Sequence, residues 1–166
     1  DVRGALEWLF DEGYEQISLM GHSLGALKAI YSQAHEAQAA VSQIIAISPP
    51  RLSYAAFCQG PRRREFLQTM SRAEQLVAAG EGEYLLEVTI PLPLLISAAG
   101  YVDKYGPAER YNLLQFAGEV TKPLLFLFGE QEVSGQSAAF GRLDATLRDL
   151  PLKSEEVDIR VIAGAD

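Results

Sequence analysis

Cysteine is almost absent from this chain. Of 166 residues only Cys58 carries a thiol, so no internal disulfide can form. A reducing compartment, and with it a cytoplasmic location, is the expectation. Histidine is as scarce: His22 and His35 are the whole supply, and with one cysteine they cannot furnish a histidine–cysteine zinc site. No stretch approaches the ~18 uninterrupted apolar residues of a membrane span. The opening residues lack the basic-then-apolar pattern of a signal peptide. Positive charge is short as well. Fourteen Lys and Arg stand against 22 Asp and Glu, giving a net charge of −8 and a sequence pI near 4.8. Such a surface repels phosphate backbones and anionic lipid, which argues against nucleic acid or a membrane surface as partner. The one basic cluster, Arg62-Arg63-Arg64, reads as the solvated start of a helix.

What is present is ordinary globular material, 48% apolar and 22% charged, with room for one domain. Residues 2 to 12 place Val2, Ala5, Leu6, Leu9 and Phe10 at helical spacing, and Gly13 supplies a stop. Ile17-Ser18-Leu19-Met20 is a short apolar run bounded by Gly21 and reads as a buried strand. A helix is expected from about Ser23 to Ala39, then a strand from Gln43 to Ser48 that Pro49-Pro50 ends. Residues 51–116 break this alternation. Glu65 to Ala79 has a helical stripe, residues 84–90 fit helix or strand, and Leu94 to Tyr101 reads as a short helix. Gly106-Pro107 is expected to open another helix running to about Phe116. Regularity returns with a strand at Pro123 to Phe128, a helix at Phe140 to Leu150 and a strand at Asp158 to Ala163. Apolar strands separated by helices predict an α/β fold, with a parallel sheet and helices on both faces.

One motif carries chemistry. Gly21-His22-Ser23-Leu24-Gly25 is G-x-S-x-G, set between an expected strand and an expected helix. A serine there must turn sharply, in a strained backbone conformation, and its Oγ is lifted above the carboxyl end of the sheet. Gly21 and Gly25 stand where side chains would collide as helix and strand approach. Ser23 is thus the candidate nucleophile, and the backbone N–H of Leu24 the candidate oxyanion donor. A plain strand–helix turn with an N-capping serine is the alternative.

These residues resemble the C-terminal portion of the α/β-hydrolase superfamily. The elbow matches at residues 21–25. Pro123 to Phe128 followed by Gly129-Glu130-Gln131-Glu132 is similar to the strand that delivers the triad acid, usually as G-x-x-D. Ile159 to Asp166 is similar to the family's final strand, which ordinarily runs into the triad histidine. The stretch 51–116 falls where these enzymes carry a helical lid. The resemblance implies a partial α/β-hydrolase fold with a lid insertion, and a serine hydrolase of the carboxylesterase, lipase or thioesterase type. It implies an acyl-enzyme on Ser23, with Glu132 as the acid, Glu130 as its nearest competitor, and Asp144 too far into the following helix. An apolar acyl substrate is expected, and no cofactor or metal.

The base is missing. A serine hydroxyl needs a group to take its proton, and the family places a histidine after the acid. No histidine follows residue 35. His22 adjoins Ser23, so its side chain should point away and serve in packing or hydrogen bonding. His35 lies ~18 Å along the helix and reads as surface. The chain opens on Asp1, not Met, and stops where the resemblance puts the histidine. These residues are therefore expected to be a fragment, inactive alone, whose histidine follows Asp166. Two other functions fit the same elbow: an acyltransferase, though Ala26 stands where those enzymes usually carry an acid, and a catalytically silent binding protein.

Overall fold

The computed structural model describes residues 2–165. Four strands form a parallel sheet in the order β1 (Ile17–His22), β2 (Val41–Ile47), β5 (Leu124–Gly129) and β6 (Val157–Ile162). The register sets Leu19 beside Ile44, Ile44 beside Leu124, and Leu124 beside Val157. Side chains alternate across a strand, so this row and its i+2 neighbours share one face. Ile44, Ala46, Leu124, Phe126 and Phe128 on that face are buried. Each large side chain so placed contributes roughly 1.5–3 kcal/mol. The alternate residues at the two edges, Met20 and Ile162, remain exposed.

Helices flank the sheet. α1 (Val2–Asp11) packs on α2 (Leu24–His35), which lies against β1 and β2 through Ala26, Leu27, Ala29 and Ile30. α7 (Glu130–Ser134) follows β5 directly, and α8 (Leu143–Arg148) packs on β6. The class is the expected one. Two helices are shorter than expected: α2 ends at His35 and α8 begins only at Leu143, after the left-handed Arg142. Asp1, and Asp166 with the histidine expected after it, lie outside the described residues.

Between β2 and β5 runs the insert. It holds α3 (Tyr54–Gln59), α4 (Arg63–Ala78), an antiparallel hairpin of β3 (Leu85–Val88) and β4 (Leu94–Ser97), α5 (Ala98–Tyr105) and α6 (Leu113–Phe116). The ambiguous stretch 84–90 is thus strand over Leu85–Val88. The helix expected over Leu94 to Tyr101 begins four residues late, because Ser97 ends the hairpin and caps α5 by accepting from Gly100 N–H at 3.1 Å. The helix expected from Gly106 to Phe116 is instead a series of turns leading to one helical turn, capped by Asn112.

Aromatic rings hold the insert together. Phe57 and Phe66 lie 5.2 Å apart, and Tyr101 and Tyr105 5.1 Å apart. Tyr101 donates to the Ile90 carbonyl, while the buried Tyr105 hydroxyl finds no acceptor among the described residues. Burial pushes the Tyr105 phenol up to about 12. Glu109 clamps the insert to its own base: its carboxylate accepts from Ser53 Oγ, Ala55 N–H and Asn112 Nδ2, each at 2.9 Å. Burial raises the Glu109 pKa, but these donors outweigh it and hold the carboxyl below its ordinary value.

Candidate active site

β1 is a parallel strand, so the chain must leave its carboxyl end and reverse into α2. The whole reversal falls on Ser23, with φ 54° and ψ −124°. This conformation is costly for a residue with a Cβ, about 1–3 kcal/mol. The backbone is held there from both sides: Ser23 N–H donates to Ile47 O at 2.8 Å, and Leu27 N–H donates to Ser23 O at 3.2 Å. Ser23 occupies the N-cap position of α2, yet its hydroxyl makes no cap bond. A capping serine would use its oxygen on the helix; this one leaves Oγ uncommitted and half-buried. Leu24 opens α2, so its N–H has no intrahelical acceptor.

The two glycines of the motif are not equivalent. A Cβ on Gly21 would lie 2.4 Å from the Gly25 carbonyl carbon and 2.5 Å from Ala26 N, a contact with backbone that cannot yield. A Cβ on Gly25 would meet nothing within 4 Å. The expected collision therefore exists at Gly21 and not at Gly25, because the close approach is of β1 to the first turn of α2.

Glu132 lies in α7, and its side chain folds back to the sheet. Its Oε2 accepts from Ser48 Oγ at 2.7 Å and from Gly129 N–H at 2.9 Å. Ser48 follows Ile47, the residue whose carbonyl holds Ser23. Serine backbone and carboxylate are thus both fastened to the carboxyl end of β2. Half of this arrangement is a helix cap, since a Glu at the third helical position commonly returns to the N-cap N–H. The Ser48 bond is not part of any cap. Ser48 was not among the sequence candidates; its partner lies 84 residues away, and only the Ser-Pro-Pro strand end marks it.

The remaining candidates lie elsewhere. Glu130 accepts from Gly164 N–H at 2.8 Å and ties α7 to the loop after β6. Asp144 sits in the first turn of α8. His22, at the end of β1, is exposed and its ring makes no hydrogen bond among the described residues, contrary to the packing or bonding role expected of it. His35 is exposed at the far end of α2, stacked on Tyr31 at 3.9 Å. Neither histidine joins Ser23 to Glu132. Among the described residues no cluster of His, Cys, Asp and Glu could hold a metal ion, and no helix is long and apolar enough to cross a membrane.

Solved structures share this arrangement of strands and helices. The monoacylglycerol lipase of Paleococcus ferrophilus superposes over 98% of the chain, at 20% identity and a TM-score of 0.59. The esterase domain of a Rhodothermus marinus protein covers all of it, at 18% identity and a TM-score of 0.58. The chain has the α/β-hydrolase fold. Within that fold the similarity extends to a soluble variant of the Saccharomyces cerevisiae monoglyceride lipase, at 12% identity over 98% of the chain and a TM-score of 0.60. The chain spans 64%, 58% and 59% of these three proteins' lengths, so the α/β-hydrolase fold seen here is a partial one. No family model and no curated protein matches the sequence.

Proposed function

We propose that this chain carries the nucleophile and the acid of a serine hydrolase that cleaves small acyl substrates through an acyl-enzyme on Ser23. The observation that carries the reading is the Ser23 backbone. A residue held at φ 54° by two hydrogen bonds, with its hydroxyl unused, is strain retained without structural return. In the reaction, Ser23 Oγ attacks the acyl carbonyl carbon and its proton passes to a histidine from outside the described residues. The tetrahedral oxyanion is met by Leu24 N–H, a donor whose loss typically costs ~2.7–4 kcal/mol of transition-state stabilisation. The leaving group takes the proton from that histidine, and water then releases the acyl group by the same steps. Glu132, fixed by Ser48, orients the imidazole and stabilises its charged form. The lipases and esterases of the same fold support an apolar acyl group, and the insert at 51–116 serves as the lid over it. No cofactor takes part.

The test is a fluorophosphonate probe on the intact protein. Labelling that disappears in Ser23→Ala supports the hydrolase. Absence of labelling in the folded wild-type protein favours the binding-protein alternative and overturns the proposal.

A further inference from the structure

Ser48 and Glu132 each lead, a few residues on, into the walls of one cleft. Arg51 lies three residues past Ser48, within about 11 Å of it along the chain. The loop 136–139 follows α7, which bears Glu132. The two segments are joined by Arg51, whose N–H donates to Ala139 O and whose guanidinium donates to Ala138 O at 3.0 and 3.2 Å. Against them stands the junction of α3 and α4. The open, solvent-facing cleft between them, about 460 Å³, has Arg51, Gln59, Gln136 and the exposed Arg63 as its polar lining. Beside it, sharing Gly60, Pro61, Gln136 and Ala138, is a cavity of about 290 Å³ with Phe57, Ile90 and Pro91 in its wall.

The charge at this place runs against the rest of the molecule. Acidic side chains outnumber basic ones 22 to 14, yet no Asp or Glu lines either cavity. Arg62 is neutralised by Glu65 at 2.6 Å. Arg63 has no ion pair among the described residues, and Arg51 bonds only to carbonyl oxygens. Half-burial without a carboxylate holds the Arg51 guanidinium below the usual arginine value, so it lacks the counter-charge that a buried cation ordinarily finds. Arg51 spends Nε and Nη2 on carbonyl oxygens, so its Nη1 and the guanidinium of Arg63 are the charged donors left to meet an oxyanion.

We propose that the cleft between Arg51, Arg63 and the loop 136–139 binds the anionic end, carboxylate or phosphate, of an acyl substrate whose apolar stem lies along Phe57, Ile90 and Pro91. This rests on the hydrolase reading of Ser23 for the word substrate, and on the cleft alone for the binding of an oxyanion.

The experiment therefore has two arms on the intact protein. Calorimetric titration with glutarate and with inorganic phosphate reads the cleft without catalysis. Binding by one of them that Arg63→Gln weakens about tenfold, the loss of one charge-assisted hydrogen bond, supports the site and tells carboxylate from phosphate. Failure of both probes to bind at about 10 mM, or binding unchanged in Arg63→Gln and Arg51→Lys, overturns it. Arg63 is the variant to read first, because Arg51 also secures the loop. The second arm compares the nitrophenyl half-ester of glutarate with its neutral methyl ester. Arg63→Gln is expected to raise KM about tenfold for the anionic ester only. An equal effect on both esters refutes the role in substrate selection. Loss of all turnover in the wild-type protein sinks the Ser23 reading while leaving the titration to decide the cleft.

Discussion

Replacing Ser23 by glycine should make the protein more stable and wholly inactive. The φ of 54° with ψ −124° is costly because of the Cβ, and glycine visits that region freely. The strain relieved is about 1–3 kcal/mol. Against it stands the extra freedom glycine brings to the unfolded chain, about 0.5–1 kcal/mol. The hydroxyl makes no hydrogen bond, so its removal subtracts nothing. A net gain of about 1 kcal/mol remains, which raises the melting temperature by roughly 2–4 °C in a domain of this size. Ser23→Ala keeps the Cβ and should lie within about 0.5 kcal/mol of the wild type. Urea unfolding of the three proteins side by side measures the difference. If the glycine variant proves no more stable than the alanine one, the backbone at residue 23 is not strained. The inference from strain to nucleophile then fails with it.

Further outcomes follow from other contacts. Gly21→Ala should lower stability by about 1–3 kcal/mol or prevent folding, whereas Gly25→Ala should be near neutral, with thermal unfolding as the measure. Ser48→Ala removes one charge-assisted bond to Glu132 and is expected to lower kcat roughly tenfold with KM unchanged in steady-state esterase assays. Glu109 has a folded pKa below its ordinary 4.5, so its contribution is complete above that value and is lost as pH falls through the folded pKa. Glu109→Gln should therefore cost about 1.5–3 kcal/mol at pH 7 and flatten the decline of stability below about pH 5, read by denaturant titration at several pH values.

The sheet was legible in the sequence because its strands are short apolar runs cut off by glycine or proline, as at Met20-Gly21 and Phe128-Gly129. The sharp turn at Ser23 was legible because the glycines and the strand–helix junction that make it lie within five residues. Glu132 was placed by its spacing from Gly129, and the bond to Ser48 joins it to the same strand end that holds Ser23. That bond itself was hidden, as is any contact between residues 84 positions apart. The insert was read least well. Its hairpin strands have four residues each, too few for a period to show; outside the insert the five-residue α7 was missed for the same reason. In both places a side chain decides where the chain turns: the Ser97 hydroxyl at α5 and the Glu132 carboxylate at α7.

The insert leaves from β2 and returns to β5, and those two strands are paired, Ile44 beside Leu124. The pairing is parallel, so the insert leaves beside Leu127 and returns beside Ile44, its ends held about 10 Å apart along the strands whatever lies between them. Lengthening such an excursion costs only logarithmically in closure entropy, so that segment is free to vary while the parallel sheet and the Ser23 turn stay as they are. On the hydrolase proposal, grafting another excursion between these strands should change selectivity and leave the Ser23 turn as it is.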